Sequence, residues 1–236
     1  MSSAHKHLLP PKMAALPAKL PPPLAEPHWH SRGYLPHLDQ LGLIQTITFR
    51  LHDALPQSQL KEWQRELELS QPLPEERERL LYRRIEKHLD AGYGACWLRS
   101  LQVGKIVEDA MLFFDDVRYH LLSWCVMPNH VHVLLEAKPG WEIGQLVHSW
   151  KSFSAQRCNK LLGRKGHFWQ REYHDRYIRD AAHLQNAIRY ITENPVKACL
   201  VSNALEWPLG SARFTGSAAI FGGRRELADE VRGKGL

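Results

Sequence analysis

Two periods of apolar residues run along this chain. Leu43–Leu51, LIQTITFRL, alternates and is β-branched, which predicts a half-buried strand. VRYHLLSWCVM (117–127) and HVHVLLEA (130–137) have strand length and aromatic and β-branched content. Pro128 and Asn129 separate them, so they are expected to be antiparallel neighbours. A short fourth strand is predicted within 173–179, around RYIR. Elsewhere the spacing is helical. Leu81, Ile85 and Leu89 recur within EERERLLYRRIEKHL, and a second helix covers about 102–113. Ile143, Leu146, Val147, Trp150 and Phe153 mark a helix to about Leu162, stopped by Gly163. Asp180 is placed to cap a last helix with Leu184, Ile188 and Ile191 inside. The order predicts an α+β fold: a ferredoxin-like split β-α-β with a four-stranded antiparallel sheet and an extra C-terminal helix that carries Tyr190.

Composition divides the chain into segments. Residues 1–30 are rich in proline, show neither period, and are expected to be a disordered leader. Residues 31–210 form the expected domain and 211–236 a tail without assigned role. Within the domain, 56–100 reads as a helical insertion whose charge run is a solvated face. No run approaches the roughly 20 apolar residues of a membrane span, so no membrane partner and a cytoplasmic location are expected. Cys96, Cys125, Cys158 and Cys199 lack a C-x-x-C pair and read as reduced thiols.

The net charge of +6 is concentrated. Residues 151–179 carry Lys151, Arg157, Lys160, Arg164, Lys165, Arg171, Arg176 and Arg179 against Glu172 and Asp175, so the rest of the chain is neutral. Such a stripe suits a polyanion, or else is a solvated helix face. Trp169 and Tyr173 lie among these arginines, where they could stack unpaired bases or pack in a core.

Candidate chemistry begins at His130 and His132. On a strand, residues two apart share a face, so the two imidazoles stand side by side and supply part of a metal site. The other H-x-H pair, His28 and His30, lies at the edge of the leader and is set aside. Around the first pair the sequence reads MPNHVHVLL (127–135), followed about sixty residues later by RYITENPVKA (189–198), with FWQREYHDRYIR (168–179) and EWP (206–208) alongside.

In these motifs the chain resembles the HUH single-tyrosine transposases, and more closely their REP-associated tyrosine transposase branch, over roughly 31–210. The resemblance implies a domain that cleaves and rejoins single-stranded DNA at hairpin-forming palindromic repeats through a covalent 5′-phosphotyrosine, using Mg2+ or Mn2+, as a monomer or homodimer. It implies His130, His132 and Asn194 as metal ligands and Tyr190 as nucleophile. Tyr190 and Asn194 are four residues apart, so a helix places them on one face, although Pro195 biases Asn194 away from helical geometry. Lys151, Arg157, Trp169, Arg171, Tyr173, Arg176 and Arg179 are the expected DNA contacts. Two features depart from the family pattern: Cys199 stands where a glycine commonly ends the tyrosine helix, and 56–100 exceeds the minimal domain. The rival is a non-catalytic or domesticated single-strand-binding protein; an RRM would need no such constellation, and no RNP1 signature is present.

Overall fold

The computed structural model describes residues 28–31, 36–39 and 43–214. The rest of the expected leader and residues 215–236 of the expected tail lie outside them. Strands β1 (His28–Ser31) and β2 (Pro36–Asp39) pair antiparallel, so backbone pairing already begins inside the segment read as a leader.

The main sheet comprises β3 (Ile44–Arg50), β4 (Tyr119–Val126), β5 (His130–Ala137) and β6 (His174–Tyr177), in the order β4-β5-β3-β6 with every pair antiparallel. This is the expected ferredoxin-like order, in which each helical crossover skips over one strand. Five α-helices accompany the sheet among the described residues: α1 (Gln57–Leu69), α2 (Pro74–Asp90), α3 (Leu101–Leu112), α4 (Ile143–Leu161) and α5 (Ala181–Lys197).

Strand alternation decides the two sheet faces. Ile47, Phe49, Val131, Val133 and Leu135 enter the larger core together with Val103, Val107, Leu146, Val147 and Trp150 of α3 and α4. A register shift between Leu121 and Ser123 changes the parity of β4, which lets both Leu121 and Trp124 face this core. On the opposite face Cys125, Met127 and Leu134 meet Ala187 and Ile191 of α5. The histidines belong to that second face.

The segment 56–100 is built into the domain. Leu60 of α1 and Ile85 and Leu89 of α2 are buried in the larger core. Nor does the domain stop at 210: the Ser211 hydroxyl accepts the Trp124 backbone N–H at 3.1 Å, and Arg213 pairs with buried Glu108 at 2.8 Å. Trp207, of the EWP motif, donates from Nε1 to the Val126 carbonyl at 3.1 Å and ties the chain after α5 to β4.

The capping expectations are met at both ends of the last helix. Asp180 accepts the His183 N–H at 2.7 Å. At the far end Cys199 adopts φ +54°, while Leu200 N–H reaches the Pro195 carbonyl and Cys199 N–H the Val196 carbonyl, each at 2.9 Å. This is a Schellman closure with cysteine in the left-handed position that glycine favours.

Candidate active site

The β3–β5 register sets Thr48 opposite His132 and Arg50 opposite His130, and all four side chains are buried. The two Nε2 atoms face each other at 3.0 Å. The orientation of His130 follows from its neighbour. Asn129, fully buried in the β4–β5 turn, donates from Nδ2 to the carbonyls of Leu89 at 3.1 Å and Tyr93 at 2.8 Å. Only an NH2 group can do this, so Oδ1 points at His130 Nδ1, 2.7 Å away, and accepts its proton. His130 Nε2 is thereby left with its lone pair directed into the site. The Thr48 hydroxyl holds His132 Nδ1 at 2.9 Å, so Nε2 is again the atom that faces inward.

Helix α5 brings Tyr190 over the pair. Its ring meets His132 edge-on at 5.5 Å between centroids, and Lys197 lies 4.7 Å from its centre. Asn194 follows one turn later and is buried, its side-chain Oδ1 and Nδ2 without a hydrogen-bond partner. The bias expected from Pro195 does not prevail: α5 continues to Lys197, and the Asn194 carbonyl accepts Ala198 N–H at 2.9 Å.

Helix α2 contributes groups that the sequence reading missed. The Tyr190 hydroxyl donates to Glu86 Oε2, which stands 3.6 Å from His132 Nε2. Asp90 Oδ1 stands 3.8 Å from His130 Nε2. Tyr82 stacks on His174 with centroids 4.1 Å apart. Tyr82, Glu86 and Asp90 are spaced by four, one polar line adjoining the apolar line Leu81–Ile85–Leu89. That spacing was the available signal, and the surrounding charges concealed it.

Burial dominates the electrostatics. It pushes Glu86 up to about 7 against the opposing hydrogen bonds of Tyr190 and Tyr82 and the charge of Arg50. Burial, then the Glu86 charge, raises Asp90 to about 6. It lowers His132 to about 4 and holds His130 well below the ordinary histidine value, where His132 and Arg50 act in the same direction. Burial followed by Glu86 and Tyr82 raises the Tyr190 hydroxyl above the usual phenol range. The site as it stands is rich in lone pairs and holds its tyrosine protonated.

These residues fit a divalent cation. Two imidazole Nε2 atoms converge, and Asn194 Oδ1, Glu86 Oε1 and Asp90 Oδ1 are buried without hydrogen-bond partners. Among the described residues no three His, Cys, Asp or Glu side chains form a metal cage by themselves. Binding would therefore draw on the Asn194 amide or on a small movement of Glu86.

The expected DNA contacts divide. Trp169 and Tyr173 are each only 6% exposed and belong to the larger core; Trp169 Nε1 donates to Ser154 at 3.0 Å and its ring meets Phe49 edge-on at 4.9 Å. Base stacking by either is thus corrected to core packing. Lys151 and Arg157 lie on α4, which covers the face away from the histidines. There Lys151 donates to the Arg171 carbonyl at 2.7 Å and Arg157 lies 4.9 Å from the centre of the Phe153 ring. Arg171 is exposed. Arg176 and Arg179, with Arg79 and Arg83 of α2, line a cleft of ≈ 560 Å³ that Glu75, Glu78 and Asp175 also border. Through Tyr82, His174 and Arg176 it joins a pocket of ≈ 220 Å³ that reaches His132 and Tyr190. The single stripe of the sequence is therefore two surfaces, and one of them leads to the tyrosine.

No helix among the described residues is long and apolar enough to cross a membrane. Among known proteins, a family model described as transposase IS200 like matches residues 102–194, the span containing His130, His132, Tyr190 and Asn194. A putative REP-associated tyrosine transposase of Haemophilus influenzae is 27% identical over 113 residues, 44% of this chain and 64% of that relative. The solved structure of a REP-associated tyrosine transposase bound to a REP hairpin superposes with a TM-score of 0.51 at 16% identity, covering 81% of this chain and 87% of that one, a likeness of fold. The family match and the curated relative uphold the resemblance read from the motifs: over residues 102–194 this chain is similar to IS200-like transposases, and over 113 residues to a REP-associated tyrosine transposase.

Proposed function

We propose that this protein cleaves and rejoins single-stranded DNA at hairpin-forming repeats, with Tyr190 as the nucleophile. The observation that carries this reading is the position of the Tyr190 hydroxyl, held by Glu86 beside the two converging histidines. His130, His132 and Asn194 would hold Mg2+ or Mn2+, which when bound supplies Lewis-acid polarisation of the scissile phosphate.

The chain's own residues do the rest. Asn129 and Thr48 keep both Nε2 atoms aimed inward. Glu86 Oε2, already the acceptor of the Tyr190 hydroxyl, takes its proton as Oη bonds to phosphorus. The P–O3′ bond breaks, and its electron pair leaves on the 3′ oxygen, which takes up a proton from solvent. The 5′ phosphate stays on Tyr190, conserving a bond that a returning 3′ hydroxyl can reclaim. The cleft lined by Arg79, Arg83, Arg176 and Arg179 would carry the strand towards the tyrosine, and hairpin preference is extended from the fold neighbour's REP hairpin.

The test uses a hairpin-bearing single strand labelled on the 3′ side of the cut, incubated in Mg2+ and run on a denaturing gel. A labelled protein band is expected from wild type, none from Tyr190→Phe, and none after chelation. Cleavage without a surviving band, or a band from Tyr190→Phe, would overturn the assignment.

A further inference from the structure

We propose that Glu86, from the α2 segment, is an additional ligand of the cation held by the histidine pair, so that the site combines two imidazoles with a carboxylate. This rests on the histidine pair being the metal site, as proposed above. Glu86 lies outside the residues that match the family, so the match assigns it nothing.

Four observations on β5 and α2 converge. His130 and His132 present Nε2 atoms 3.0 Å apart, and two ligands at right angles on a cation with bonds of about 2.1 Å stand about 3 Å apart. Glu86 is 7% exposed, a position a carboxylate rarely takes without a partner of opposite charge. Its Oε2 is 3.6 Å from His132 Nε2, while Oε1 is buried and has no hydrogen-bond partner. Asp90 repeats the arrangement one turn on, its Oδ1 3.8 Å from His130 Nε2 and also without a hydrogen-bond partner. Arg50 and Lys197 already place positive charge near these carboxylates, and a divalent cation would add a centre that imidazoles and carboxylates ligate together. Oxygen donors are also what Mg2+ and Mn2+ favour, so an added carboxylate strengthens a site that otherwise offers two nitrogens and an amide.

The carboxylate has an oxygen for each task. Oε2 holds the tyrosine hydroxyl and Oε1 is free for the cation, which couples the position of the nucleophile to occupancy of the metal site.

The test is metal binding, read without DNA or turnover. Mn2+ is titrated into the chelator-stripped full chain, following the EPR signal of the free ion, for wild type, His132→Ala and Glu86→Gln, each checked for folding by circular dichroism. Wild type should bind Mn2+ and His132→Ala should lose it. Glu86→Gln should bind about tenfold more weakly or worse. Glu86→Asp, which keeps the charge but withdraws the oxygens, should also weaken binding and serves if Glu86→Gln does not fold. Wild-type affinity in a folded Glu86 variant, with His132→Ala deficient, overturns the proposal and leaves the histidine site standing. Wild type without bound Mn2+, or His132→Ala binding as wild type does, overturns the histidine site and this proposal together.

Discussion

Tyr190 and Glu86 are joined by a hydrogen bond across 104 residues of sequence. The residue proposed to attack DNA sits on α5, within the part of the chain that matches the family, and its partner sits on α2, outside that part. Ile85 and Leu89 anchor α2, and with it the partner, in the larger core. A segment that looks like an addition to the fold thus shapes the surroundings of the tyrosine.

Asn129 is the residue through which α2 and the histidine strand are tied. Asn129→Ala removes two buried hydrogen bonds and one partly buried one, and leaves the Leu89 carbonyl, the Tyr93 carbonyl and His130 Nδ1 to find other partners. Urea unfolding should show a loss of about 3 kcal/mol. Mn2+ affinity should fall by about 10–100-fold, because the His130 ring loses the contact that fixes its tautomer. A variant with lower stability but unchanged Mn2+ affinity would show that the tautomer lock does not matter.

Period-two alternation made the strands legible in the sequence, and with them the shared face of His130 and His132. A step of four placed Tyr190 and Asn194 together in the same way. Glu86 and Asp90 were not legible, because nothing local separates a buried and a half-buried acid from the charged residues around them in EERERLLYRRIEKHLD. Their burial depends on α5 closing over α2, a contact between elements far apart in the chain. Trp169 and Tyr173 failed differently: an aromatic among arginines suits a base platform and a core equally, and only the packing of β3 against α4 decides. The basic stripe misled because neighbours in sequence on α4 and β6 end on different surfaces.

Cys199 was singled out in sequence as standing at a glycine position, and its φ of +54° accounts for that pattern. Cys199→Gly relieves the left-handed cost of about 1–2 kcal/mol for an L-residue and restores part of it as chain entropy. The expected net gain is about 0.5–1 kcal/mol, visible as a rise in the urea midpoint. An unchanged or lower midpoint would mean that the cysteine side chain stabilises the turn by as much as its backbone costs.

The buried acids and histidines should also shape the pH dependence of the metal-free protein. His132, depressed to about 4 from 6.5, and His130, held well below the ordinary histidine value, stay neutral in the fold while the unfolded chain takes up protons, so their contribution is lost as pH falls from 6.5 towards 4. Glu86, raised from 4.5 to about 7, has the opposite sign: its contribution is fully present below 4.5 and is lost as pH rises through 7. Asp90, raised from 3.8 to about 6, acts in the same direction as Glu86. The two pairs nearly cancel between pH 5 and 6.5, so stability in chelator should be almost flat there. Glu86→Gln removes one opposing proton and should lose about 1.4 kcal/mol per pH unit on acidification across that window. Parallel urea profiles for wild type and variant would contradict this balance.

The division of the basic residues gives the last prediction. Arg176 and Arg179 line the cleft that leads through Tyr82 and His174 to Tyr190, whereas Lys151 and Arg157 stand on the far side of the sheet, already occupied with a carbonyl and an aromatic ring. A phosphate contact made by a cleft arginine should appear as counterion release. Arg176→Ala and Arg179→Ala should each weaken single-strand binding and flatten the slope of log K against log salt by about 0.7. Lys151→Ala and Arg157→Ala should leave that slope unchanged. Fluorescence anisotropy with a labelled single strand, over a series of salt concentrations, measures all four variants directly. Equal effects from both pairs would mean that the strand wraps around the sheet edge to meet α4, and the route through the cleft would have to be abandoned.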